Sequence, residues 1–376
     1  MIECVEITNL KNIRQQTIEL GRLCVFVGAN ASGKTTVLDA IQFAVRAVKK
    51  RADKDGTRTS QPGKVFGYER HCDWLYTRGG TGDLRIACTT SGGTFSVAAT
   101  PPPGFLNSKS WEFGKGEWSF HVTPEDPGEF ELAYRDAKSL VFLRLNVEML
   151  AKPSYASTNP PRVEYDGRNL ASVLAYMALN DPDAFAKVVD DLRSMVPRLK
   201  RIRFAKAPVR VPERELVRIG NESIEHRSTR EFLGDSLLFD FTNATGLSAS
   251  TVSEGTLLLL GLLTVLSGPS APSVILLDDI DHGLHPVAQS ALLDVLHRLM
   301  DERPEIQVLA SAHSPYLIDG LEPDQVRLLA TGPDGNSVCG RLSDHPDFER
   351  WKNEMAPGEM WSLFGEKWLP SATTGK

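Results

Sequence analysis

No stretch of this 376-residue chain is apolar for long enough to cross a membrane: the longest run, Leu257–Leu266, is about half the roughly 20 residues a spanning helix needs. A transport subunit that itself spans the bilayer is excluded on that ground. The N-terminal residues carry Glu3 and Glu6 and lack a basic segment ahead of an apolar one, so no signal peptide is expected. Cysteine is scarce. The five present (Cys4, Cys24, Cys72, Cys88, Cys339) form no C-x-x-C pair and no ligand-like spacing, which argues against a disulfide framework or a thiolate metal site and for a reducing, cytoplasmic setting. Positive charge is not in excess either. The formal net charge of −6 excludes a wholesale electrostatic grip on nucleic acid, though not a local basic patch. No heptad pattern persists, so no coiled-coil arm is expected, and no internal repeat is visible. Only Ser371–Lys376 reads as disordered.

What is present is an ordinary globular composition, 41% hydrophobic and 24% charged, with alternating strand and helix signals at both ends of the chain. Leu23-Cys24-Val25-Phe26-Val27 is a continuous apolar run bounded by glycines, which suits a strand buried on both faces. Lys34–Lys49 then reads as a helix, with Val37, Leu38, Ile41, Val45 and Val48 on one stripe. Between them, Gly28-Ala29-Asn30-Ala31-Ser32-Gly33-Lys34-Thr35 fits G-x-x-x-x-G-K-[ST] at every fixed position, in the strand–loop–helix context the motif requires. Glycines let the backbone wrap phosphates. The N–H groups from Asn30 to Thr36 would donate to them, Lys34 would neutralise β/γ charge, and Thr35 would offer a hydroxyl to Mg²⁺. Some 240 residues on, Val274–Leu277 is a second buried strand, ending in Asp278-Asp279. Beside the P-loop, Asp278 would hold Mg²⁺ and Asp279 would orient the attacking water.

The segment Asp278-Asp279-Ile280-Asp281-His282-Gly283-Leu284-His285-Pro286 resembles the Walker B motif and D-loop of ABC-type AAA ATPases of the RecF, SMC and OLD group. Three more segments agree in order: Ile2–Ala44 with that group's opening strands and P-loop, Ser253-Glu254-Gly255-Thr256 with its signature motif, and Ala310-Ser311-Ala312-His313-Ser314-Pro315 with its switch-histidine segment. The resemblance implies a P-loop NTPase α/β fold, doubly wound around a mainly parallel sheet. It also implies a homodimer in which Ser253 and Gly255 of one copy reach the γ-phosphate held by the other. His313 would sense that phosphate within its own copy, and catalysis would rest on Lys34, Asp279 and His313 with ATP and Mg²⁺. The sequence departs from the group at Asp279, where a glutamate is usual. Either the shorter acid polarises water slowly, or ATP acts chiefly as a dimerising switch. Asp281 reads as a surface-loop acid in preference to one that assists the reaction, and no Q-loop residue stands out near Ser139–Leu145.

The domain pattern expected is an ATPase core over 1–51 and 230–345, a β-rich lobe over 52–138, a strand, helical insertion and basic segment over 139–229, and an aromatic tail over 346–376 packing on the core. The basic segment, with Arg198, Lys200, Arg201 and Arg203 at its start, leaves two readings open: contact with a DNA backbone, or a structural role as a solvated strand face or in salt bridges to acids elsewhere. The process served is expected to be DNA maintenance or anti-phage defence. No nuclease-like or Toprim-like segment is legible, so an effector, where there is one, is expected on a separate chain.

Overall fold

The computed structural model describes residues 1–52, 75–77, 80–101, 119–123, 127–135, 137, 139–156, 158–219, 222–268 and 272–369. A large part of the expected 52–138 lobe, and the terminal residues read as disordered, lie outside them. In chain order the first elements are β1 (Ile2–Leu10), β2 (Ile13–Glu19), β3 (Leu23–Gly28), α1 (Lys34–Ala52), β4 (Leu84–Thr90), β5 (Gly93–Thr100), β6 (Ser119–Thr123), α2 (Pro127–Tyr134) and β7 (Leu140–Leu143). There follow α3 (Val147–Leu150), α4 (Leu170–Asn180), α5 (Pro182–Met195), β8 (Leu199–Ile219), β9 (Glu222–Phe241), β10 (Leu247–Ser248) and α6 (Glu254–Ser267). The last elements are β11 (Val274–Leu277), α7 (Pro286–Glu302), β12 (Gln307–Ser311), α8 (Pro315–Ile318), β13 (Val326–Thr331), β14 (Ser337–Arg341), α9 (Phe348–Trp351) and α10 (Pro357–Phe364). They gather into two compact units. The first takes Met1–Phe142, Pro272–His282 and Met300–Lys376; the second takes Leu143–Ala271 and Gly283–Leu299.

The first unit is built on a six-stranded sheet of order β14-β13-β3-β12-β11-β7. Its centre is parallel, with β3 hydrogen-bonded between β13 and β12, and β12 in turn beside β11. Every residue of β3 is buried, as its uninterrupted apolar sequence demands of a strand covered on both faces. The P-loop strand, the Walker B strand and the strand leading to His313 thus end at one edge of one sheet, the edge where α/β folds place ligands. The stripe on α1 is buried, with Val37, Leu38, Ile41 and Val48 fully inaccessible. A second sheet, of order β2-β1-β4-β5-β6, joins the N-terminal hairpin to β4 in antiparallel register. Within the expected β-rich lobe, the described strands β4–β6 continue the sheet that β1 and β2 begin. The pairing of β1 with β4 links segments some 80 residues apart, and no local pattern announces it. At the C-terminus, α10 lies on α8, with the Gly358 N–H donating to Asp319 Oδ1 at 2.9 Å.

The second unit holds α3–α6, the first four turns of α7, and a long antiparallel ribbon of β8 and β9, with β10 beyond β9. From Thr256 to Leu266, α6 is buried without a break, which explains why it is apolar all round rather than amphipathic. Asp181 caps α5, accepting from the Ala184 N–H at 3.1 Å, and so restarts the helix at Asn180-Asp181-Pro182. β9 pairs with β8 from Glu222 onward, so the expected boundary at 229/230 falls inside a strand.

Candidate nucleotide site

The P-loop joins β3 to α1 through backbone angles that side chains resist. Gly28 has φ +145° and Gly33 φ +109°, and Ala31 stands at φ +63° although it carries a Cβ. A Cβ on Gly28 would fall 2.1 Å from the Leu329 carbonyl oxygen, so glycine there is a packing requirement. The loop is held from outside by two residues. Asn12, in the turn between β1 and β2, donates from Nδ2 to the Ala31 carbonyl at 2.9 Å and accepts from the Thr36 hydroxyl at 3.2 Å. Ser337, which opens β14, donates from Oγ to the Ser32 carbonyl at 2.6 Å, and its N–H donates to the Asn12 carbonyl.

Lys34 is buried and folds back along the loop, its ammonium donating to the carbonyls of Gly28 (2.8 Å) and Ala29 (3.0 Å). Burial pushes its pKa down, and the nearby carboxylates of Asp279, Asp278, Glu366 and Asp281 oppose that shift. Asn30 and Ala31 are exposed on the rim. The Ser32 hydroxyl is buried and has no hydrogen-bond partner among the described residues. An inward hydroxyl beside left-handed backbone and a buried ammonium is a set of donors suited to an oxyanion such as a phosphate.

Asp278 follows β11 and is buried. Its Oδ1 accepts from the Thr35 hydroxyl at 3.0 Å and from the Ser311 hydroxyl at 2.7 Å. Thr35 and Asp278 therefore set two hard oxygen donors side by side, which fits Mg²⁺, an ion that takes one or two protein oxygens and completes its shell with water and phosphate. Asp279 comes next, at φ +55° and partly exposed, with its Oδ1 3.5 Å from His313 Nε2. The His313 N–H donates to Asp281 Oδ2 at 2.9 Å, so this partly exposed loop acid ties the two segments together. Lys34, Thr35, Asp278, Asp279 and His313 thus meet within the first unit.

Ser253 and Gly255 lie in the second unit. Ser253 is exposed at the N-cap of α6, with its hydroxyl 2.7 Å from that of Thr256 and no side-chain bond to the helix backbone. Gly255 packs beside the Gly283 carbonyl. In the basic segment, Arg201 and Arg203 converge on one buried carboxylate. Asp240 accepts from Arg201 Nε at 2.6 Å, and from Arg203 Nε at 2.9 Å and NH2 at 2.8 Å. Lys206 pairs with Asp235 and Arg210 with Glu231 across the same ribbon. Of the two readings left open for this segment, the structure displays pairing with acids on β9.

Sequence reading passed over Ser311, Asn12 and Ser337. Ser311 belongs to the switch segment, where the histidine draws attention. The other two act through loop backbone, and no spacing rule marks that role.

This arrangement, with the P-loop, Asp278-Asp279 and the His313 segment following adjacent parallel strands, is that of a P-loop NTPase fold. A family model described as "AAA domain, putative AbiEii toxin, Type IV TA system" matches residues 106–319, more than half of the chain, and a second described as "AAA domain" matches residues 4–93. The chain belongs to this AAA-domain family. Among solved structures it is similar to the Smc head bound to the C-winged helix domain of ScpA, at 14% identity and a TM-score of 0.54, covering 93% of this chain and 99% of that one. It is also similar to the Smc head domain with an extended coiled coil bound to the C-terminal domain of ScpA from Pyrococcus furiosus. There the identity is 13% and the TM-score 0.55, covering 94% and 98%. At such identities the likeness concerns the fold. No curated protein matched the sequence. Among the described residues no helix is long and apolar enough to cross a membrane.

Proposed function

We propose that the chain is an ATP-hydrolysing switch that closes as a head-to-tail homodimer around two ATP molecules and passes its cycle to a separately encoded effector. The observation that carries this reading is the junction at Asp278, where a buried carboxylate meets the P-loop threonine and the strand that leads to His313. In this reading the loop N–H groups from Asn30 to Thr36 and the Lys34 ammonium bind and orient the phosphates. Thr35 and Asp278 hold Mg²⁺, which supplies charge neutralisation of the phosphates when bound. Asp279 accepts a proton from the attacking water, and His313 donates toward the terminal phosphate. Ser253 and Gly255 at the N-terminus of α6 cap the nucleotide bound to the other copy. ATP drives closure because it binds the closed state better than the open one.

The family description, with its toxin and toxin–antitoxin terms, supports a place in a toxin–antitoxin system. The pairing of Arg201 and Arg203 with Asp240 favours a protein effector over DNA as the target, since a guanidinium already held by a carboxylate has less to offer a phosphate backbone. The test is steady-state turnover together with oligomeric mass, with and without Mg·ATP. Turnover with a nucleotide-dependent dimer supports the reading. A chain that binds no ATP, or stays monomeric while hydrolysing it, sinks it.

A further inference from the structure

Ser311 ends β12 two residues before His313 and is fully buried. Its hydroxyl is used in both directions: it donates to Asp278 Oδ1 at 2.7 Å and accepts from the Asp279 N–H at 2.8 Å. Its carbonyl accepts the next N–H, that of Ile280, at 3.0 Å. Asp279 is held meanwhile in the left-handed region, at φ +55°, where a residue with a Cβ stays only if its surroundings keep it there. The carboxylate of Asp281 closes the loop by accepting the His313 N–H. One side chain on the histidine strand thus holds the carboxylate of the first acid and the backbone of the second.

We propose that Ser311 is a positioning residue for ATP hydrolysis. Its hydroxyl locks the Asp279 turn, so that this carboxylate faces His313, and steers Asp278 toward Thr35. This rests on the ATPase reading above. Because this one group joins both acids to the switch strand, a shift of β12 is passed to Asp278 and Asp279 together.

Three variants separate the hydroxyl from the volume it occupies. Ser311→Ala removes both hydrogen bonds. Ser311→Thr keeps the hydroxyl, and Ser311→Val matches threonine in shape without it. The readouts are kcat and KM for Mg·ATP, and amide hydrogen exchange over residues 277–283 in the nucleotide-free protein. Expected for Ala and Val is a fall in kcat of about 10- to 100-fold, the usual cost of losing a group that orients a ligand or catalytic residue. KM should stay within about twofold and exchange over 277–283 should quicken, while Thr recovers most of the turnover and protection. Equal kcat and equal exchange for Thr and Val overturn the proposal. So does a parallel loss of kcat and nucleotide affinity, or the unfolding of both Ala and Val, since either result assigns Ser311 to the core alone. A wild-type chain that does not hydrolyse ATP defeats the ATPase reading, and exchange in the nucleotide-free variants then judges this one by itself.

Discussion

Asp278 in the first unit and Asp240 in the second are both buried carboxylates near the C-terminal end of a strand, and both accept from two side chains, but the donors differ. Asp278 takes hydroxyl protons from Thr35 and Ser311. Asp240 takes guanidinium protons from Arg201 and Arg203 and the N–H of Gly246 as well. Hydroxyls orient a carboxylate without a counter-charge of their own, and the Lys34 ammonium acts on Asp278 through space as well. Two guanidiniums more than cancel the charge of Asp240 and hold its carboxyl well below the usual carboxylate range. The first is a site still open to chemistry; the second is a joint that is already closed. A buried acid alone is therefore no sign of function. What matters is whether its neighbours have used up its charge.

Asp279 offers the most forceful way to press on the open side of that contrast. Asp279→Asn keeps a side chain that tolerates the left-handed backbone and removes the charge. Turnover should fall about 100- to 1000-fold, in the range for loss of a general base, while Mg·ATP still binds and the ATP-loaded dimer accumulates. Single-turnover hydrolysis and mass measurement together check it. Wild-type-like turnover in this variant would move the base elsewhere and leave Asp279 as a turn residue.

Lys34→Ala comes next. Its ammonium is buried on loop carbonyls, so its removal should weaken ATP binding by about 10- to 100-fold, the worth of a charged hydrogen-bonding group, with the melting temperature little changed. Calorimetric titration with Mg·ATP reads it. Unaltered affinity would mean that Lys34 only braces the loop.

Most of the open site was legible in the sequence, because its chemistry is written in short fixed spacings: the P-loop, the acids after Val274–Leu277, and the histidine after Ala310-Ser311-Ala312. Each falls just after a buried strand, and parallel strands bring their C-terminal ends to one edge. The closed joint was legible only as pairing with acids elsewhere, without the partner. Arg201 and Arg203 meet Asp240 only because β8 and β9 pair over nearly their whole lengths, a register set by the hairpin and not by any residue near the arginines. The pair Gly220-Asn221 between the two strands is a hairpin signal that could have predicted it. The joining of β1 to β4 was hidden for the same reason, since long-range pairing leaves no local periodicity to read.

A smaller effect is expected from opening the joint. Asp240→Asn leaves two guanidiniums without their counter-charge, and the melting temperature should fall by about 2–4 °C at pH 7. The pH dependence follows from the depressed carboxyl. Its stabilisation is present above the unfolded value near 3.9 and is lost only as pH falls toward the folded one. The gap between wild type and variant should therefore hold from pH 7 to pH 5 and close only below about pH 4. A gap that closes between pH 7 and pH 5 would show that another group is responsible.

The smallest effect expected is that of duplex DNA on turnover, and it decides which face of the contrast the ribbon belongs to. Arg198 and Lys200 precede the paired arginines, so the stretch still reads as basic in sequence, yet the acids of β9 answer Arg201, Arg203, Lys206 and Arg210 across the ladder. Affinity for a phosphate backbone comes from cations free to displace its counterions, and these four have carboxylates within 4 Å. Adding DNA should then change the ATPase rate by less than about twofold, and Arg201→Glu with Arg203→Glu should leave that response unaltered. Stimulation well above twofold that the double variant abolishes would mean that DNA strips these arginines from Asp240. The joint would then be a latch, and the ribbon a nucleic-acid arm held shut by its own acids.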